Sequence, residues 1–206
     1  MVSSLGAGRG ATLSALRQGR GALRPCQFET VTIPTYIGQV DGVEDVTMPA
    51  GLAAFDCRNN RLALMALSQD GFLEAVAAAK RRYGAHRIGV FAGTSTAGIL
   101  ETELAFRGRD PADGTLAPGF HYRQTQNTFS VAEFTQSFLG LTGPAHVVSA
   151  ACASTAKSFA DAARMILLGV CDAAIVGGAD SLCLTTLYGF HSLQLISTDP
   201  CRPYDA

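Results

Sequence analysis

The chain has 206 residues, 48% of them hydrophobic, 16% charged and 8% aromatic. That apolar-rich, charge-poor balance excludes intrinsic disorder and predicts a single domain with a buried core. Lys and Arg number 16 against 17 Asp and Glu, for a net charge of −1, and no basic run exceeds Lys80-Arg81-Arg82; this excludes the basic face that neutralising duplex phosphates demands.

Residues 1–10 show no basic stretch leading into an apolar run, so no secretory signal is visible. An apolar helical patch covers residues 61–67. Asp70 is placed to cap a second helix over 72–83, which stops at Gly84. A short strand over 87–92 closes on the polar loop Gly93-Thr94-Ser95-Thr96. Ser130 and Glu133 form an S-x-x-E capping box, with Phe129 and Phe134 as its hydrophobic staple, opening a helix that ends at Gly140. Pro144 then leads into a strand over 145–150, a helix over about 154–168 stopped by Gly169, and a strand over 172–177. That last strand–helix–strand unit has the length of a right-handed βαβ crossover. With 22 glycines, no Trp and many short Val, Ile and Ala runs, the whole predicts an α/β domain.

The helix over 154–168 is amphipathic. Ala156, Phe159, Ala160, Ala163, Ile166 and Leu167 share one face, and Lys157, Asp161 and Arg164 lie opposite. The most apolar stretch, 165–179, is broken by Asp172 and by Gly169, Gly177 and Gly178, which makes it too short and too interrupted for a membrane span. The six cysteines (Cys26, Cys57, Cys152, Cys171, Cys183 and Cys201) contain no CxxC pair and no compact Cys/His cluster. Reduced thiols in the cytoplasm are the expectation, without a structural zinc.

Chemistry concentrates at His146-Val-Val-Ser-Ala-Ala-Cys152-Ala-Ser-Thr155, where a buried β-run passes through an unbroken set of small residues into a helix. Small side chains fit a sharp strand-to-helix turn. A cysteine there has its sulfur at a helix N-terminus, where free N–H groups and the helix dipole favour the thiolate. The same N–H groups stabilise negative charge on a carbonyl oxygen once sulfur attacks it. Set against this, a free cysteine is commonly a small buried hydrophobe, and that reading suits the other five.

Two further patterns fail on inspection. Gly93-Thr94-Ser95-Thr96-Ala97-Gly98 misses the G-x-S-x-G nucleophile elbow at its last position. Ser95, Asp180 and His191 follow a hydrolase order, yet no HGGG-type segment precedes them. Gly177-Gly178 is not followed by Lys-Ser/Thr, so phosphate-loop chemistry is excluded; tight turning and close backbone approach account for those glycines. His86, His121, His146 and His191 read as surface or capping residues rather than general bases.

The stretches VVSAACASTAKSF, GVCDAAIVGGADSL and GFHSLQLISTDPCRPYDA, in that order, resemble the β-ketoacyl-acyl-carrier-protein synthases. These are the condensing enzymes of fatty-acid and polyketide synthesis, built on a thiolase-like layered α/β/α fold. The resemblance places the acyl-accepting cysteine at Cys152, the next strand end at Val176-Gly177-Gly178-Ala179-Asp180, and the family's R-P-[FWY]-D segment at Arg202 to Asp205. It implies acyl transfer to Cys152 from an acyl carrier protein, followed by decarboxylative Claisen condensation with a malonyl-thioester. It implies no metal or organic cofactor, the phosphopantetheine belonging to the carrier. It also implies a homodimer in which the strand over 145–150 lies near the two-fold axis.

The family's two catalytic histidines, its lysine and a glycine-rich oxyanion loop belong to the second half of a chain about twice this length. The expectation is therefore an N-terminal half (residues 1–206 as one domain, cut at both ends) that is inactive on its own and exposes apolar surface meant for the other half. The alternative is a non-catalytic ketosynthase-like module that binds a carrier protein or partner subunit.

Overall fold

The computed structural model describes residues 1–203; Tyr204 and Asp205 of the R-P-[FWY]-D resemblance lie outside the described residues. At the core is a three-stranded parallel sheet with β5 (Ile88–Gly93) in the centre, flanked by β6 (Ala145–Val148) and β7 (Ala173–Gly178). Val90 aligns with Ala145 on one side and with Ile175 on the other. The central strand is buried at all six positions, which is why it reads as the continuous apolar run IGVFAG rather than as an alternation. β6 and β7 are parallel, as a βαβ unit requires, but they pair with β5 and not with each other. β6 stops at Val148, two residues before the expected end.

Alternation along β5 assigns the two sheet faces. Ile88, Val90 and Ala92 face a core built with Leu64 of α2 (Arg58–Leu67), Val76 of α3 (Phe72–Tyr83), and Val131 and Phe134 of α5 (Ser130–Leu139). Phe91 faces the opposite side, against Ala162 and Cys171 beneath α6 (Ser154–Leu167). The result is a layered α/β/α arrangement. α4 (Ile99–Arg107) and α7 (Leu184–Ser192) pack together at one end, with Leu100 and Cys183 in a satellite cluster that includes Phe28 and Ile37.

The amino-terminal region carries structure that its sequence does not announce. β1 (Val2–Ser3) and β2 (Gly6–Ala7) form a minimal hairpin, followed by α1 (Gly8–Arg17). β3 (Arg24–Pro25) and β4 (Tyr36–Ile37) make a second short antiparallel pair outside the main sheet. α2 begins three residues before the expected patch.

Two expected caps are reassigned. Asp70 does not cap α3; that place belongs to Gly71 in a left-handed conformation, with φ of 72°. The Asp70 carboxylate instead accepts the Arg9 N–H at 2.9 and 3.0 Å, satisfying a free donor in the first turn of α1, and pairs with the Met1 ammonium at 3.5 Å. The Ser130/Glu133 capping box is absent. Ser130 Oγ donates to the Gln124 carbonyl and accepts from Asn60 Nδ2 at 2.8 Å, while Glu133 accepts from Arg123 at 2.8 Å. The N-cap is Phe129, whose ring is exposed, whereas Phe134 is buried between Phe55 and Phe138, so the staple is not made either. The expected helix ends do hold: α3 stops at Gly84, α5 at Gly140 with φ of 60°, and α6 just before Gly169 with φ of 70°.

The amphipathic helix α6 docks by neither of the faces its sequence advertises. Ser154, Ser158 and Ala162, spaced four apart, are its buried row against the sheet. Its apolar face points outward, with Phe159 58% and Leu167 85% exposed. Among the described residues no single helix is long and apolar enough to cross a membrane.

Candidate active site

β6 hands over to α6 through residues 149–153, and one serine holds that turn. Ser154 Oγ accepts the Ala150 N–H at 2.9 Å and donates to the Ala151 carbonyl at 2.6 Å. The Ser154 and Ala153 N–H groups close the turn onto the Ala151 and Ala150 carbonyls, each at 3.1 Å. Ala151 adopts φ of 47°, a left-handed conformation that costs a residue bearing a Cβ about 1–2 kcal/mol and that the hydrogen bonds of the turn hold in place. Cys152 follows it, immediately before the N-cap Ala153 of α6, and its side chain is exposed.

Glycines let the helix come this close. A Cβ on Gly93 would lie 2.5 Å from the Thr155 backbone nitrogen, and one on Gly178 would strike the Thr155 side chain and reach within 2.9 Å of the Gly93 carbonyl. Two bare strand ends thus form the seat for the first turn of α6. Gly177 has open space around its missing Cβ, so of the adjacent pair only Gly178 needs to be glycine for contact.

Beside the turn lies the loop after β5. Asp180, at the end of β7, accepts the Ser95 N–H at 2.8 Å and the hydroxyls of Thr94 and Thr96 at 3.2 and 3.1 Å. Asn59 of α2, wholly buried, contacts the same two threonines at 3.3 Å each, and Ser181 N–H donates to Thr96 Oγ1 at 2.9 Å. Ser95 Oγ then reaches Ser154 Oγ at 3.1 Å. Hydrogen bonds therefore run without a break from α2 and β7, through residues 94–96, to the turn that carries Cys152.

The thiols divide by environment. Burial, with the neighbouring Glu101 carboxylate, pushes Cys57 up to about 12, and burial likewise raises Cys171 and Cys183. These three are held protonated in the interior. All six cysteines are unpaired.

Of the residues singled out from sequence, the structure brings Ser95 and Asp180 together, but through the backbone N–H of the serine. His191 stands exposed in the last turn of α7 and joins neither. His146 lies 3.5 Å from Asp161, and no histidine enters the hydrogen-bonded network around residues 94–96. Asn59, Ser154 and the structural role of Asp180 escape sequence reasoning. Two adjacent asparagines between Arg58 and Arg61 in the first turn of α2, and three hydroxyls at a strand end, are the available signals. A cavity of about 620 Å³ lies between the β1–β2 hairpin, α2 and β7, and a smaller one of about 250 Å³ adjoins Arg58, Thr96 and Asp180; Cys152 lines neither. Among the described residues no group of three or more His, Cys, Asp or Glu is arranged to hold a metal ion.

Comparison with known proteins places this geometry. The sequence profile described as "Beta-ketoacyl synthase, N-terminal domain" matches residues 47–206. Nodulation protein E of Rhizobium meliloti (strain 1021) is 27% identical over 201 residues, which cover 93% of this chain and 48% of that protein. The 3-oxoacyl-[acyl-carrier-protein] synthase 2 of the same organism is 39% identical over 74 residues, covering 32% of this chain and 18% of that one. Among solved structures, the ketosynthase ApeO, in complex with its chain length factor ApeC from Xenorhabdus doucetiae, superposes with a TM-score of 0.81 at 30% identity, over 98% of this chain and 51% of that one. A β-ketoacyl synthase from Burkholderia phymatum STM815 superposes at 0.77 with 24% identity, over 100% of this chain and 52% of that one. The chain spans about half the length of the full-length relatives it matches.

Proposed function

This chain belongs to the β-ketoacyl synthase family, with a thiolase-like fold, and on that premise we propose that it is the nucleophile-bearing half of a condensing enzyme whose acyl-accepting residue is Cys152. The observation that carries this reading is the exposed thiol on a small-residue turn at the mouth of α6, beside three cysteines locked inside the core. In the first step the Cys152 thiolate attacks the thioester carbonyl of an acyl carrier protein. A new C–S bond forms, and the carrier's phosphopantetheine leaves as a thiolate that takes up a proton. The positive end of the α6 dipole favours the negative charge that builds on the carbonyl oxygen. A malonyl-thioester then loses carbon dioxide, its carbanion attacks the acyl carbonyl, and Cys152 departs as thiolate, leaving a 3-oxoacyl chain two carbons longer.

The second step needs groups that the resemblance assigns to the other half of the family's fold: two histidines and a lysine. The outward apolar face of α6, with Phe159, Ile166 and Leu167, is where that half packs in this reading. Among the described residues β6 is bonded on one edge, to β5, which suits pairing with a second subunit along its other edge. Six unpaired thiols suit the reducing cytoplasm.

The test is acyl transfer. The chain is incubated with an acyl-carrier thioester and its peptides are mapped by mass spectrometry. An acyl group on Cys152, lost in Cys152→Ser, is the expected result, with no 3-oxoacyl product from this chain alone. Acyl groups spread evenly over the exposed thiols would remove the nucleophile assignment and favour a carrier- or subunit-binding module. Turnover at the rate of an ordinary condensing enzyme would overturn the half-enzyme reading.

A further inference from the structure

The hydrogen bonds around the turn assign a direction to the contact between Ser95 and Ser154. A serine hydroxyl carries one proton and two lone pairs. The Ser154 proton is committed to the Ala151 carbonyl at 2.6 Å, and one lone pair takes the Ala150 N–H at 2.9 Å. Ser95, at 3.1 Å, is then the donor into the remaining lone pair, and its hydroxyl also lies 3.5 Å from the same Ala151 carbonyl that Ser154 holds. Ser154 is 2% exposed, so this site is completed by protein and not by bulk water. Ser95 is in turn placed by its own backbone N–H, which Asp180 holds at 2.8 Å while gripping Thr94 and Thr96 on either side.

We propose that Asp180 and Ser95 are positioning residues for Cys152, a role that rests on the condensing-enzyme reading of that thiol. Asp180 fixes the 94–96 loop, Ser95 completes the coordination of Ser154, and Ser154 pins the two peptide groups around the left-handed Ala151. The outcome is a single placement of the sulfur at the start of α6. Neither residue touches the substrate. The carboxylate acts as a three-fold hydrogen-bond acceptor, and its charge is not what matters.

The experiment measures iodoacetamide alkylation of Cys152 in the full chain by peptide mass spectrometry, normalised to the exposed Cys201 in the same sample. Acyl transfer and thermal melting are recorded in parallel. Ser95→Ala is expected to slow Cys152 about tenfold relative to Cys201, within the hundredfold that misplacing a reacting group by an ångström can cost. Ser95→Thr, which keeps the donor, restores the rate. Asp180→Ala slows Cys152 to a similar extent, and Asp180→Asn, still an acceptor, restores most of it.

The proposal falls if Ser95→Ala leaves the ratio within twofold of the unaltered chain, or if Asp180→Asn and Asp180→Ala change it equally, since the carboxylate would then act through its charge. Should Asp180→Ala fail to fold, the Ser95 pair decides alone, because that side chain contributes only its hydroxyl. Absence of acyl transfer to Cys152 in the unaltered chain removes the condensing reading, whereas the alkylation ratios judge the positioning separately.

Discussion

Helices α5 and α6 pack on opposite faces of the same three strands, and both are amphipathic, yet they dock in opposite senses. α5 buries its apolar residues, Val131, Ala132, Phe134 and Leu139, in the main core. α6 buries Ser154, Ser158 and Ala162 and leaves Phe159, Ile166 and Leu167 in solvent. The difference lies in the distance each helix keeps from the sheet. Glycines at the ends of β5 and β7 let the first turn of α6 approach the strands' backbone, and only small inner residues fit such a contact. Apolar periodicity therefore marks a stripe that wants cover, but it does not say which layer supplies the cover.

Substitutions can break or sharpen this contrast. The largest effect is expected at Phe134→Ala on α5, which empties a wholly buried ring site and should cost about 3–5 kcal/mol in denaturant unfolding. Gly93→Ala attacks the seat of α6 instead. Its Cβ meets backbone atoms that cannot swing aside, so a loss of about 1–3 kcal/mol is expected, together with slower alkylation of Cys152.

A pH series reports on α5's side of the sheet, where Cys57 precedes α2. The Cys57 thiol is raised from 9.0 to about 12 in the folded chain, so the unfolded chain loses its proton first. Stability from this group is complete below pH 9 and is lost as pH rises toward 12, by up to about 1.4 kcal/mol per pH unit. The melting temperature of Cys57→Ala should fall less steeply over that range. The smallest change is expected at Phe159→Ser, on the outer face of α6. It should alter chain stability by less than about 0.5 kcal/mol while reducing self-association in sedimentation, and a loss comparable to that of Phe134→Ala would mean that this face is covered within the chain.

Local chemistry was the legible part. Gly84, Gly140 and Gly169 end helices because a left-handed or open backbone is needed at the position itself, and the buried run of β5 is recognisable from its own residues. The small-residue turn at Cys152 was readable for the same reason. What stayed hidden depends on distant partners. Asp70 serves a helix 61 residues away, and Ser130 is drawn off its capping role by Asn60 and Gln124. Asp180 was visible as the end of a glycine-rich strand, but its grip on Thr94, Ser95 and Thr96 exists only once β5 and β7 lie side by side. α1, built from GRGATLSALR, carries glycines that weaken any helical signal.

The first turn of α6 meets Gly93 of β5 backbone to backbone and sets the short Thr155 side chain against Gly178 of β7. Packed backbone transmits displacement instead of absorbing it. In the proposed reading, a displacement of the strand ends that seat α6 carries the Cys152 turn with it, so a contact made on the outside of the sheet also aims the acyl-accepting thiol.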